Sequence, residues 1–242
     1  MKEHGPSLDF EQLYSGHSKS LENAMHLLDA ALTIWDNHPA VALGLSELGQ
    51  EELGKSLSFL SAFYFLEHEA DWAWFWKAWR NHQIKAHRAF LYELFSPLGM
   101  IIEPDGPSRM EGASARPQIS QEKEAAFYVD YSHAERAFIS PQDCIKPIEI
   151  ANRIGTLLCL SITASGLKNA LDEGSKEKNY LIFAELAIRV CSGDIFQQDM
   201  PNIMREFSSR SPYHAALINN IEARLEQSRE VVLIRAKNKG AV

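Results

Sequence analysis

Two short clusters of ionisable residues carry the chemistry that this sequence could do. One is Glu52 with Lys55, inside Leu45-Ser46-Glu47-Leu48-Gly49-Gln50-Glu51-Glu52-Leu53-Gly54-Lys55; the other is Arg80-Asn81-His82-Gln83-Ile84-Lys85-Ala86-His87. At about 100° per residue, Val41, Leu45, Leu48, Glu52, Lys55 and Phe59 share a helical stripe roughly 80° wide. That stripe is greasy, whereas Glu47, Gln50, Glu51 and Ser58 gather on another side. A carboxylate and an ammonium on a core stripe are costly unless paired. Standing three apart, Glu52 and Lys55 reach each other, and the expected further partners are His82 and Lys85. The plainer reading is a solvated pair, which contributes little. A buried network would fix helix register whether or not it also does chemistry.

The second cluster is basic. Lys77, Arg80, Lys85 and Arg88 occur with His82 and His87 and no acid between them, which makes this stretch the candidate anion-facing patch. The competing reading is charge balance against Glu67, Glu69 and Asp71. Read as one helix, the stretch has a core stripe of Trp72, Trp76, Trp79, Gln83, Ala86, Phe90 and Leu94. Tryptophans so dense are expensive to leave in water, so core or dimer interface is expected ahead of a base-stacking platform. On that helix Arg80 and His87 lie on one flank and His82 and Lys85 on the other, separated by roughly 140–160°.

A scaffold for these groups is within reach of the chain, whose 242 residues are 45% hydrophobic, enough for a real core. Residues 1 to 16 read as polar and loose. A helix capped by Ser18 or Ser20 runs from Leu21 to Trp35, and Pro39 opens a second that reaches Leu66. The short connection favours an antiparallel hairpin. Gly44, Gly49 and Gly54 point in different directions and suit close neighbours on several sides. The third helix follows, then a Pro-, Gly- and Ser-rich loop over 103–122, and a Tyr128-Val129-Asp130 element that is extended or a helical turn. Pro147 opens a helix to Leu171; Asp172-Glu173-Gly174-Ser175 is a linker; two more helices lie near 177–193 and 200–228, and Val231-Val232-Leu233-Ile234 makes a short apolar end.

Net charge −8 argues against general nucleic-acid binding. The three cysteines, Cys144, Cys159 and Cys191, lack metal-like spacing and suit reduced thiols in a cytoplasm. No secretory segment and no run of eighteen apolar residues is seen, so no membrane span is expected. Phosphate-binding glycine loops and the common hydrolase and zinc motifs are absent, and the Glu47/Glu51/Glu52 cluster has no histidine at the Glu-x-x-His spacing of a bundle metal site. No cofactor or metal is expected.

At Glu51-Glu52-Leu53-Gly54-Lys55, His82-Gln83-Ile84-Lys85 and Tyr128-Val129-Asp130 the sequence resembles the AbiV family of abortive-infection proteins, over about residues 16 to 175. That family is placed near the HEPN helical superfamily, many of whose members are dimeric, metal-independent ribonucleases with an Arg and a His that have four to six residues between them. The resemblance implies an antiphage role, with Arg80-Asn81 and His87 as the cleaving pair. His takes and returns protons near neutral pH, and Arg holds the phosphate. Glu52, Lys55, His82 and Lys85 are then a supporting network or a second polar site. The alternative is a helical binding module that senses or sequesters a phage protein or a nucleotide. The expected architecture is all-α, a bundle built on a long antiparallel hairpin. An AbiV/HEPN-like domain would span 1–175, with a helical extension over 176–242 packed on it. RNA, a phage protein and a second copy of the chain are the expected partners.

Overall fold

The computed structural model of the chain describes residues 5–68, 72–95, 130–132, 137–140, 147–192 and 200–238. Eight α-helices lie among them: α1 (Phe10–Ile34), α2 (Pro39–Ala62), α3 (Trp72–Arg80), α4 (His82–Phe90), α5 (Pro147–Asp172), α6 (Lys176–Ser192), α7 (Met200–Ser209) and α8 (Pro212–Asn238). Short 3-10 turns, Phe63–Leu66 and Leu91–Phe95, continue α2 and α4. An antiparallel ribbon pairs β1 (Asp130–Ser132) with β2 (Ala137–Ile139), Asp130 facing Ile139. The architecture is all-α, as the sequence predicts. The expected 103–122 loop, Tyr128, Val129, Cys144 and Glu69 lie outside the described residues; Asp130 is extended.

The bundle is organised around α2. Helix α1 lies along it as the other arm of a hairpin, and α4, α5 and α6 pack on its remaining sides. Packed on so many sides, the helix buries polar and apolar residues alike, which explains why its apolar periodicity is a poor guide to its faces. Glycine lets the neighbours in. A Cβ on Gly49 would press on Leu157 of α5 at 2.8 Å, and one on Gly54 would overlap the main chain of Lys85 in α4.

Helix α1 begins earlier than predicted. Asp9 accepts from the Gln12 N–H at 2.8 Å and Gln12 Oε1 accepts from the Asp9 N–H at 3.0 Å, a capping box. Phe10 and Tyr14 pack on Phe63 and Tyr180, and the Phe59 ring lies against Gly16. The supposedly loose residues from Phe10 onward are helical because their partners come from α2 and α6, far away in sequence.

The predicted third helix is two helices. Asn81 adopts φ −93° and ψ 110°, and its side chain accepts from the Ile84 N–H at 3.1 Å, capping α4. The chain doubles back through α3, and α4 then runs in the same sense as α2. Gln50, Ser56 and Ser58 on one side meet the Ala86 carbonyl, Tyr92 and Arg88 on the other. Helix α3 buries Phe75 and Ala78, with the half-buried rings of Trp72, Trp76 and Trp79 around them.

Towards the C-terminus, the helix expected over 200–228 is broken before Pro212, where Ser211 Oγ accepts from the His214 N–H at 3.2 Å. Val231–Ile234 continue α8 instead of forming a separate end. Helix α6 contributes Tyr180, Phe183, Ala184, Leu186, Ala187 and Val190 to the same hydrophobic core as α1 and α2. Ile150–Asp172 is long and apolar enough to cross a membrane, but 56% of its most apolar window is buried inside the fold. Neither Cys159 nor Cys191 is in a disulfide.

Candidate functional site

On α2 the faces are the reverse of the sequence reading. Most of the greasy stripe looks outward: Val41 is 41% exposed, Leu45 and Leu48 are half-buried, and so are Glu52 and Lys55, whereas Phe59 at its far end is buried in the core. Glu52 and Lys55 pair with each other, and Lys55 also stands 5.3 Å from the centre of the Trp79 ring. The polar side is the buried one, and Glu47, Gln50, Glu51, Ser56, Ser58 and Ser61 all sit in the interior. Burial is tolerated because α4 and α5 bring matching donors. Arg153 Nε of α5 lies 2.6 Å from Glu47 Oε1, and Gln50 Nε2 donates to the Ala86 carbonyl at 3.2 Å. Arg88 donates to Ser58 Oγ at 2.8 Å, and Ser58 in turn donates to the Gly54 carbonyl at 2.7 Å.

The expected Glu52–Lys55–His82–Lys85 network is therefore split, and its carboxylate is Glu51. His82 Nδ1 lies 2.6 Å from Glu51 Oε2, and Lys85 Nζ stands 3.7 Å from the same oxygen. One residue along a helix turns the side chain by about 100°, so Glu52 points away while Glu51 faces α4. Lys85 is buried, but the His82 side chain is 67% exposed. A buried carboxylate thus holds one nitrogen of a largely exposed imidazole. Glu51 fixes the tautomer with the proton on Nδ1 and orients the ring, the arrangement that prepares an imidazole for proton transfer.

Arg80 and His87 do not share a helix. Arg80 is exposed at the end of α3, two residues before His82, whereas His87 is half-buried in α4. The two-turn spacing assigned to them assumed an unbroken helix, and the Asn81 cap removes it. His82 and Lys85 do share a helix and converge. The signal that could have found Glu51, Arg88 and Arg153 was chemical: the polar side of an otherwise apolar helix, facing cations at three-residue intervals in His82, Lys85 and Arg88.

A second polar cluster was missed altogether. Tyr14, Lys168, Asp172 and Tyr180 meet where α1, α5 and α6 join: the Tyr14 and Tyr180 hydroxyls each donate to Asp172 at 3.2 Å, and Lys168 pairs with Asp172. Burial lowers the proton affinity of Lys168, but its bonds to Asp172 and Tyr14 outweigh this and the net shift is upward. Burial raises the Tyr180 phenol, and the Asp172 charge adds to it. Beside them His17, 1% exposed, lies 2.9 Å from the Ser56 carbonyl through Nδ1. Burial holds its pKa down to about 4 against that hydrogen bond, so the ring is neutral. Among the described residues no group of three or more His, Cys, Asp or Glu side chains is placed to hold a metal ion.

Comparison with known proteins turns up no matching curated protein and no matching solved structure. A family model does match: AbiV, in its HEPN form, over residues 12–156. The matched region holds the hairpin, both arms of the Glu51–His82 contact and Arg153, and covers well over half of the chain. The chain belongs to the AbiV family.

Proposed function

We propose that this protein acts in abortive infection as a metal-independent endoribonuclease, with His82 as its proton-transfer group. The observation that carries the reading is the pairing of a surface imidazole with the buried Glu51 carboxylate at 2.6 Å. In this scheme His82 Nε2 takes the proton from an RNA 2′-hydroxyl, whose oxygen then attacks the adjacent phosphorus. Glu51 steadies the imidazolium that forms. Exposed Arg80, beside His82, neutralises the phosphate. The bond to the 5′-oxygen breaks, and that oxygen takes a proton from an acid on the opposite side. A second copy of the chain, facing the first across a groove, supplies that acid through its own imidazole. Glu52 and Lys55 take no part.

The test is RNA cleavage by purified protein in EDTA. Wild type is expected to cut, and His82→Ala to lose about 10²- to 10⁴-fold in rate. Glu51→Gln, which leaves the ring less well held, is expected to fall between the two. Arg80→Ala should weaken the rate as well, and His87→Ala should leave it near wild type. Cleavage lost in His87→Ala and retained in His82→Ala would restore the Arg80–His87 pair. No cleavage by any form would favour the non-catalytic reading, a helical module that captures a phage protein or a nucleotide, which the net charge of −8 also suits.

A further inference from the structure

Trp74 differs from the other tryptophans of α3. It is 37% exposed, and the rings of Trp72, Trp76 and Trp79 pack against the core. The fold holds its indole in place nonetheless. The Arg88 guanidinium lies 4.5 Å from the ring centre, and the Phe65 ring meets it edge-on at 5.9 Å. Arg88 is itself buried and anchored to Ser58, so a fixed cation backs the indole. Trp74 stands seven residues before the Asn81 turn and Arg88 seven after it, so this contact also closes the α3–α4 hairpin.

Residues 72–92 contain no acid, although Glu67, Glu69 and Asp71 precede them and the whole chain carries −8. Lys77 and Arg80 are exposed on α3, and Arg88 lies six positions along α4 from His82, a rise of about 9 Å. A rigid aromatic surface beside exposed cations fits a chain of alternating π-faces and phosphates. It does not fit a duplex, whose bases are stacked on one another. We propose that Trp74, on its Arg88 support, is a stacking subsite for an unpaired base of single-stranded RNA lying along α3 and α4. The distance from this base to the cut rests on the ribonuclease reading; the stacking itself does not.

The experiment is fluorescence anisotropy with a labelled 2′-O-methyl oligonucleotide of about twelve nucleotides. Such a strand lacks the attacking hydroxyl and reports binding alone. The full chain is titrated in EDTA as wild type, Trp74→Ala and Trp74→Phe, against the single strand and the matching duplex, with folding checked by circular dichroism. The single strand is expected to bind more tightly than the duplex. Trp74→Ala is expected to lose about tenfold, and Trp74→Phe, which keeps a ring, to lose about threefold or less. Equal single-strand binding by wild type and Trp74→Ala would overturn the subsite even if unmodified RNA were cut, leaving the ribonuclease standing. Trp74-dependent binding without cleavage of unmodified RNA would keep the subsite and remove the ribonuclease. A change in sedimentation of Trp74→Ala with RNA binding intact would overturn the subsite and make this face a contact between copies of the chain.

Discussion

Glu51 and Glu52 are chemically identical and adjacent, yet only Glu51 meets α4. The difference is rotation about the helix axis, and it turns one into an orienting group and the other into half of an exposed-side ion pair. The residue types were legible in the sequence: His82 and Lys85 were singled out, and both reach a glutamate of the motif. Which glutamate was not legible, because a helix enclosed by four others buries its polar side wherever matching donors exist. His17 shows the same effect of surroundings on chemistry. Its pKa, held down to about 4 from an unfolded value near 6.5, makes it a neutral interior ring. The stability it contributes is complete above pH 6.5 and is lost as pH falls toward 4, at about 1.4 kcal/mol per pH unit. Urea unfolding at pH 7 and pH 5 should therefore show a smaller loss of stability in His17→Phe than in wild type; equal losses would mean that His17 is not the group titrating.

Periodicity carries an amphipathic stripe straight through Asn81, and the structure interrupts it there. What decides the matter is long-range: α4 docks on α2 through Gly54, while the rings of α3 are claimed by Phe59, Phe65 and Pro6. Only Asn81, a favoured helix cap, gave a local sign. At this scale the glycines are unequal. Gly54→Ala pushes a methyl into the Lys85 main chain, which cannot rotate aside, and is expected to cost about 3 kcal/mol or more. Gly155 is exposed in α5, and a methyl added there would meet nothing within 4 Å, so Gly155→Ala should gain up to about 1 kcal/mol. Chemical denaturation of the two variants beside wild type tests both signs.

The hairpin, its antiparallel packing and the all-α class were all readable from apolar spacing and Pro39. Less visible was how far the C-terminal third belongs to the core. Tyr180 is fully buried against Phe10 and Tyr14 of α1 and Phe63, Phe183 is fully buried against Phe95, and Asn179 ties α6 to the turn before it, its amide donating to the Leu171 and Glu173 carbonyls at 3.0 and 2.7 Å. A chain ending at residue 175 is therefore expected to lose cooperative unfolding, as read by thermal circular dichroism; a sharp transition would show that the first 175 residues fold alone. The seam between α2 and α4 has a further consequence. Its closest approach sets Gly54 against the Lys85 main chain, and its side-chain contacts come from Gln50, Glu51, Ser56 and Ser58 to His82, Lys85, the Ala86 carbonyl, Arg88 and Tyr92, so side chains outside that set do not hold it together. Exposed positions such as Lys77 and Gln83 are free to change while the hairpin keeps its register. Change can thus accumulate on this outer face, one residue at a time, without disturbing the fold beneath it.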